Sequence, residues 1–264
     1  MPRIATLMLV VCVGACRGES VDEPASVDAG SETSGLPSGV FLRDGCPSGR
    51  GPEMANLGAF CMDRSEVTRS NFNAFLADPG KPAWPSSCGS PSYPAATTDS
   101  GDHPATNVTF CEAEVYCRWA GKQLCGARSG GAVTPEAALT ASSMWTYACW
   151  SGETPRAYPY GEAYERTRCL GERLVGSSPG TVPVNVAGTN CRSDREPFRQ
   201  VIDLSGSIAE WEDACSGADV AATCRVRGGS WNEMSSPNLR CDAARSEPKG
   251  SRLSDVGFRC CYRP

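Results

Sequence analysis

Val108-Thr109-Phe110-Cys111-Glu112-Ala113-Glu114-Val115-Tyr116-Cys117-Arg118-Trp119-Ala120-Gly121-Lys122 carries a helix and both of its ends in one stretch. Thr109-x-x-Glu112 is a capping box: the hydroxyl satisfies an orphan amide of the first turn, and the carboxylate reaches back to the cap's own amide. Val115, Tyr116 and Trp119 supply an apolar face, and Gly121 stops the helix. Working outward, Thr68 caps a second helix from Arg69, with Val67 and Phe72 placed as a hydrophobic staple, Phe75 and Leu76 extending the face, and Pro79-Gly80 as the stop. A third helix is expected over Ser143 to Trp150, with Trp145 and Cys149 one turn apart.

Beyond residue 150 helical periodicity disappears. Val182-Pro183-Val184, Val201-Ile202-Asp203-Leu204 and Arg225-Val226-Arg227 read as short strands between Gly, Ser and Asn turns. No internal repeat or domain break interrupts residues 40 to 264, so one α+β unit is the economical reading.

The export signal lies at the other end. Met1-Pro2-Arg3 is a short basic start, and Ile4 to Val13 is an apolar run too short to span a bilayer. It ends in Val13-Gly14-Ala15-Cys16, a lipobox pattern that predicts acylation of Cys16 after a signal segment of residues 1–16. Two or more acyl chains anchor stably, at about 0.8 kcal/mol per buried methylene. Arg17 stands where inner-membrane retention signals carry Asp, so the expected location is a bacterial cell envelope, the outer membrane rather than the inner. Residues 17–39 are Ser, Gly, Pro and acidic residues with too little apolar area to offset the entropy of ordering, and are read as a tether.

Net charge is −5, and the tether accounts for much of it through Glu19, Asp22, Glu23, Asp28 and Glu32 against Arg17. The basic residues of the remainder are scattered, with no stripe for a phosphate backbone, which argues against nucleic acid as a partner. Apart from Cys12 and Cys16, fourteen of the 16 cysteines fall in the domain. An even number behind an export signal reads as a disulfide framework. No Cys-x-x-Cys occurs and His103 is the sole histidine, so thiolate–imidazole metal ligation is disfavoured. His103, directly before Pro104, is read as structural.

Six segments in order resemble the formylglycine-generating enzyme, or sulfatase-modifying factor, family. They are Phe60 to Thr68 (FCMDRSEVT), His103-Pro104 through Lys122, Tyr158-Pro159-Tyr160-Gly161, Asp203 to Trp211 (DLSGSIAEW), Arg227-Gly228-Gly229-Ser230-Trp231 and Gly257-Phe258-Arg259-Cys260. The resemblance implies an α+β fold related to C-type lectin domains, with little regular secondary structure. It also implies the disulfides Cys117–Cys260 and Cys149–Cys241. Proximity in sequence suggests Cys46–Cys61, Cys169–Cys191 and Cys215–Cys224. Cys88, Cys111, Cys125 and Cys261 admit three pairings, of which Cys88–Cys111 with Cys125–Cys261 is preferred.

Family enzymes oxidise a substrate cysteine with copper(I) held by two thiolates, ligands matched to a soft monovalent ion. The corresponding positions fall at Ser236 and near Trp231, and Trp231 to Arg240 holds no cysteine. Copper is therefore not expected. Ser230 matches the family's serine beside the active cleft, and Ser230, Trp231 and Ser236 are the cleft candidates; Trp211 is weighed as a further lining residue or as core. The family's calcium site carries over better, onto the Asp203 and Glu210 carboxylates and the Gly206 and Ile208 carbonyls, oxygen donors suited to a hard cation in a structural role. Three functions compete. The favoured one is a non-catalytic, lipid-anchored envelope module binding a protein, peptide or glycan. The others are an oxidoreductase acting on a protein cysteine and a structural lipoprotein component.

Overall fold

The computed structural model describes residues 35–99, 101–171, 180–184 and 190–264. Cys16, the export segment and most of the tether expected over 17–39 lie outside them. Among the described residues the elements are β1 (Phe41–Arg43), β2 (Cys46–Ser48), β3 (Met54–Asn56), β4 (Cys61–Asp63), α1 (Arg69–Ala77), α2 (Phe110–Trp119), β5 (Gln123–Leu124), α3 (Met144–Trp150), β6 (Ala209–Cys215), β7 (Thr223–Arg227), β8 (Ala244–Pro248), β9 (Val256–Gly257) and β10 (Cys260–Tyr262). Long irregular segments connect them. No helix among the described residues is long and apolar enough to cross a membrane.

The helices start where local chemistry places them. Thr68 and Asn71 close a capping box on α1, Thr109 and Glu112 close one on α2, and the Ser143 hydroxyl caps α3 from outside the helix. Aromatic edges join α1 to α2: Phe72 meets Tyr116 at 5.9 Å between ring centres, and Phe75 meets Trp119 at 5.6 Å. Tyr116 in turn packs on Phe258 at 5.2 Å, which ties both helices to the C-terminal segment. A second core gathers Phe60 and Met62 with Met144, Trp145, Val201 and Leu204.

The strands form a hairpin of β1 and β2 and two four-stranded sheets, ordered β3-β4-β10-β5 and β8-β7-β6-β9. Pairing is antiparallel except between β6 and β9, where Glu210 lies opposite Gly257. Two of the expected strands are corrected. Residues 182–184 make no strand: Pro183 has no amide to donate, and Val184 N–H bonds to Asp102 O instead. Residues 201–204 make only an isolated bridge, Ile202 opposite Arg192, because Asp203 turns into the left-handed region at φ 59°. Thr223–Arg227, around the third expected strand, pairs on both sides as β7.

Seven disulfides cross the described residues: Cys46–Cys61, Cys88–Cys111, Cys117–Cys260, Cys125–Cys261, Cys149–Cys241, Cys169–Cys191 and Cys215–Cys224. Two of them attach neighbouring residues of β10 to α2 and to the chain just past β5. Three buried ion pairs stand beside these covalent ties: Lys122–Asp63, Arg227–Glu212 and Arg259–Glu210. Each is held by further hydrogen bonds, which a buried pair needs to offset its desolvation. Arg227, for example, also donates to Thr146 Oγ1 at 3.0 Å and Cys241 O at 2.7 Å, and lies over the Trp145 ring.

Candidate functional site: a buried carboxylate cluster and an adjoining cleft

Two glycine-bearing segments are stitched together at the head of the β8-β7-β6-β9 sheet. Entering β6, the chain is left-handed at Asp203, Gly206 and Ser207; leaving β7, it is left-handed at Gly228 and Gly229. Gly206 N–H donates to Gly228 O at 2.8 Å, and Trp231 N–H to Ser207 O at 2.8 Å. A Cβ on Gly206 would lie 2.3 Å from Leu170 O, and one on Gly229 would lie 2.5 Å from Asn238 O. Backbone approaches this close explain why both segments need glycine.

Below this junction lies a cluster of three buried carboxylates around one guanidinium. Arg259 donates to Glu210 from Nε (2.8 Å) and Nη2 (2.7 Å), and also to Asp63 O (3.1 Å) and Ile202 O (2.9 Å). Trp145 Nε1 adds a third donor to Glu210, at 2.9 Å. Asp203 and Glu66 have no such support. Asp203 is 5% exposed, and its carboxylate has no hydrogen-bond partner among the described residues. Burial pushes its carboxyl up to about 6; Arg259 opposes this and Glu210 adds to it. Glu66 is wholly buried, and neither carboxylate oxygen has a partner among the described residues. Burial, then the Asp203 charge, pushes the Glu66 carboxyl up to about 8.

The Gly206 and Ile208 carbonyls accept no hydrogen bond among the described residues, and the Asp203 carboxylate is likewise uncommitted. Glu210 differs, since Arg259 and Trp145 engage both of its oxygens. No three His, Cys, Asp or Glu side chains among the described residues form a ready metal site. The Asp203 carboxylate and the two carbonyls are thus uncommitted oxygen donors, the type a hard cation takes, whereas Glu210 is already engaged.

The cleft lies on the other side of the Gly228-Gly229 turn. It encloses about 410 Å³, with Ala209, Val226 and Gly229 among its lining and Glu233, Asn238, Asp242 and Arg245 as its polar groups. Arg245 is shared among three carboxylates: Glu247 and Asp255 at 3.1 Å each, and Glu233 at 3.5 Å. Arg240 pairs with Asp242 at 2.7 Å. Of the lining side chains, one guanidinium, Arg245, stands with two carboxylates, Glu233 and Asp242, and an acidic excess remains.

The sequence-predicted cleft residues flank this space without lining it. Ser230 is buried, donating to Asp255 Oδ2 at 2.9 Å and accepting from Asn232 N–H at 3.2 Å. Trp231 is half-buried, and its indole N–H has no partner among the described residues. Ser236 opens a turn of 3₁₀ helix whose carbonyl accepts from the Tyr158 hydroxyl at 3.2 Å. Trp211 is core: it is 1% exposed and donates to Val108 O. Arg245, Asp255 and Glu247 were not singled out from sequence, because nothing local marks them; β-sheet pairing assembles them.

The sulfatase-modifying factor enzyme 1-like domain model matches residues 15–264. The chain belongs to this family. Among curated proteins, the formylglycine-generating enzymes of Mus musculus and Thermomonospora curvata are 24% and 22% identical to it, over 60% and 64% of its length. It spans only 44% and 48% of theirs, about half the length of these relatives. Among solved structures, CarF matches with TM-score 0.55 and 19% identity, covering 78% of this chain and 86% of CarF. PvdO from Pseudomonas aeruginosa matches with TM-score 0.52 and 18% identity, covering 78% and 80%. At these identities the likeness establishes the fold, an α+β arrangement shared with the family. The copper-binding pair seen in family enzymes does not fit the residues here. Trp231 to Arg240 holds no cysteine, and every cysteine among the described residues is disulfide-bonded.

Proposed function

We propose that this chain is a lipid-anchored protein of the bacterial envelope, acylated at Cys16, whose sulfatase-modifying-factor domain binds a ligand and does not oxidise cysteine. One observation carries the non-catalytic reading. The segment beside the cleft, Trp231 to Cys241, holds a single cysteine, Cys241, and its sulfur is bonded to Cys149. A thiolate pair for copper(I) therefore requires breaking structural disulfides.

The ligand class is a protein, peptide or glycan, and the cleft's acidic excess favours a partner that presents a lysine or arginine side chain or another cationic group. Exposed Met234, on the same loop as Glu233, adds apolar contact area next to that charge. The calcium reading belongs to the same proposal. Asp203, the Gly206 and Ile208 carbonyls and Glu210 would hold the ion, and it would pin the loop entering β6 without taking part in a reaction.

Two assays on the purified mature domain test the proposal. With copper(I) and oxygen, cysteine-containing peptides remain unmodified by mass spectrometry; conversion to formylglycine refutes the non-catalytic reading. Basic peptides raise the melting temperature and acidic ones do not. Glu233→Gln weakens that response, and an equal response to both peptide classes refutes the cationic-ligand reading.

A further inference from the structure

We propose that a second pocket, built around the Cys169–Cys191 disulfide, binds a phosphate dianion, free or as a phosphomonoester, through Arg168, Arg192 and Arg199. It shares no residue with the cleft or with the calcium donors. The pocket encloses about 280 Å³, with Tyr160, Arg168, Asn190, Arg192, Asp194 and Arg199 among its lining. Arg168 precedes one bridged cysteine and Arg192 follows the other, and the two cysteine Cα atoms are 4.7 Å apart. The disulfide thus anchors two arginines far apart in sequence beside one bond. Arg192 is also held by its bridge to Ile202. Arg199 lies on a 3₁₀ turn that Phe198 fixes to the core, 5.5 Å from the Tyr147 ring.

The charge balance selects the ligand. Arg168 pairs with Glu165 at 2.8 Å and Asp194 with Arg156 at 3.1 Å, so these four groups cancel. The Arg192 and Arg199 guanidiniums have no ion-pair or hydrogen-bond partner among the described residues, which leaves two positive charges on the pocket. A dianion neutralises both, whereas a monoanion leaves one unopposed. Arg168 commits only Nε to Glu165 and lies 5.5 Å from the Tyr160 ring centre, so its terminal nitrogens remain available. A guanidinium presents a planar fork of donors that matches two oxygens of one phosphate, and Asn190 adds a neutral amide. The volume lies just below the usual range of about 300–1,000 Å³ for small-molecule sites, which suits one phosphate and the first atoms of an ester.

The test uses the full chain in detergent at constant ionic strength, with inorganic phosphate as the probe and chloride as the reference. Isothermal titration and melting temperature are the readouts. The wild type binds one phosphate and melts higher in it than in chloride. Arg192→Gln and Arg199→Gln each bind about tenfold more weakly or worse and lose most of the increment. Arg43→Gln, which removes an exposed arginine paired with Glu53 elsewhere, behaves as the wild type. Glycerol phosphate and a short-chain phosphatidic acid in the same detergent separate the sources: tighter binding of either than of inorganic phosphate assigns the site to a soluble ester or to a lipid headgroup. If none of the three binds, or if phosphate and chloride act alike, the proposal is overturned. It is overturned equally if both arginine variants bind within about threefold of the wild type. Should Arg192→Gln fail to fold, Arg199→Gln, on an exposed residue, decides alone.

Discussion

Removing the paired disulfides of β10 should cost more together than separately. Cys117–Cys260 and Cys125–Cys261 span 143 and 136 residues, and Cys149–Cys241 spans 92 inside both. With Cys149–Cys241 intact, the shortest covalent path round either outer bond is about 50 residues; with its neighbour also intact it falls to about nine, from 117 to 125 and 260 to 261. Loop-closure entropy assigns ~2.6 kcal/mol to a nine-residue ring and ~4 kcal/mol to the larger one. Each double Cys→Ala variant should therefore lose ~2.6 kcal/mol through the unfolded state, and the quadruple variant about 7 kcal/mol rather than about 5. All four cysteines are fully buried, so the packing lost on truncation recurs in both backgrounds and cancels in the cycle. The assay is equilibrium urea unfolding under oxidising conditions, with every species in the same sucrose-containing buffer to keep the quadruple variant folded. A coupling of ~1.5 kcal/mol is expected; costs that add within ~0.5 kcal/mol would refute the nested-loop reasoning.

Asp213 yields a pH prediction. Burial, reinforced by the Glu114 and Glu212 charges, pushes its carboxyl from 3.8 up to about 6. The stability tied to its proton is thus present below about pH 4 and lost as pH rises through about 6. Asp213→Asn should accordingly gain up to about 3 kcal/mol near pH 8 and nothing below about pH 4, read from urea midpoints across that range. Arg227→Met strands Glu212 in the core and should cost about 3–5 kcal/mol by the same assay. Gly206→Ala sets a Cβ against Leu170 O at a φ of 74° and should cost at least ~1–3 kcal/mol; a neutral result would show that the loop entering β6 is looser than described.

The helices were legible because their signals are local. Thr68, Thr109 and Ser143 sit beside the amides they cap, and Gly121 beside the end it stops. The sheets were not, since most strands have two or three residues and draw their register from distant partners. β6 shows the difficulty best. Ala209-Glu210-Trp211-Glu212-Asp213 reads as a half-solvated strand, yet Glu210 and Glu212 both point inward to Arg259 and Arg227. Family likeness indicated where a cleft should be, but its charged lining joins Glu233, Asp242 and Arg245 across sheet and loop, with no shared motif. Glu66 was visible only as part of the Glu-Val-Thr stretch. Its isolation from hydrogen-bond partners is a property of the folded core that no local pattern encodes.

We infer that this domain keeps the family fold without a copper-binding thiolate pair. The most direct measurement is a free-thiol count with copper(I) titration on the purified mature domain, under native and denaturing conditions. No free thiol in either condition and no tight copper(I) site are expected. Two free thiols with stoichiometric, tight copper(I) binding would contradict it and would place the chemistry in cysteines assigned here to structural bonds.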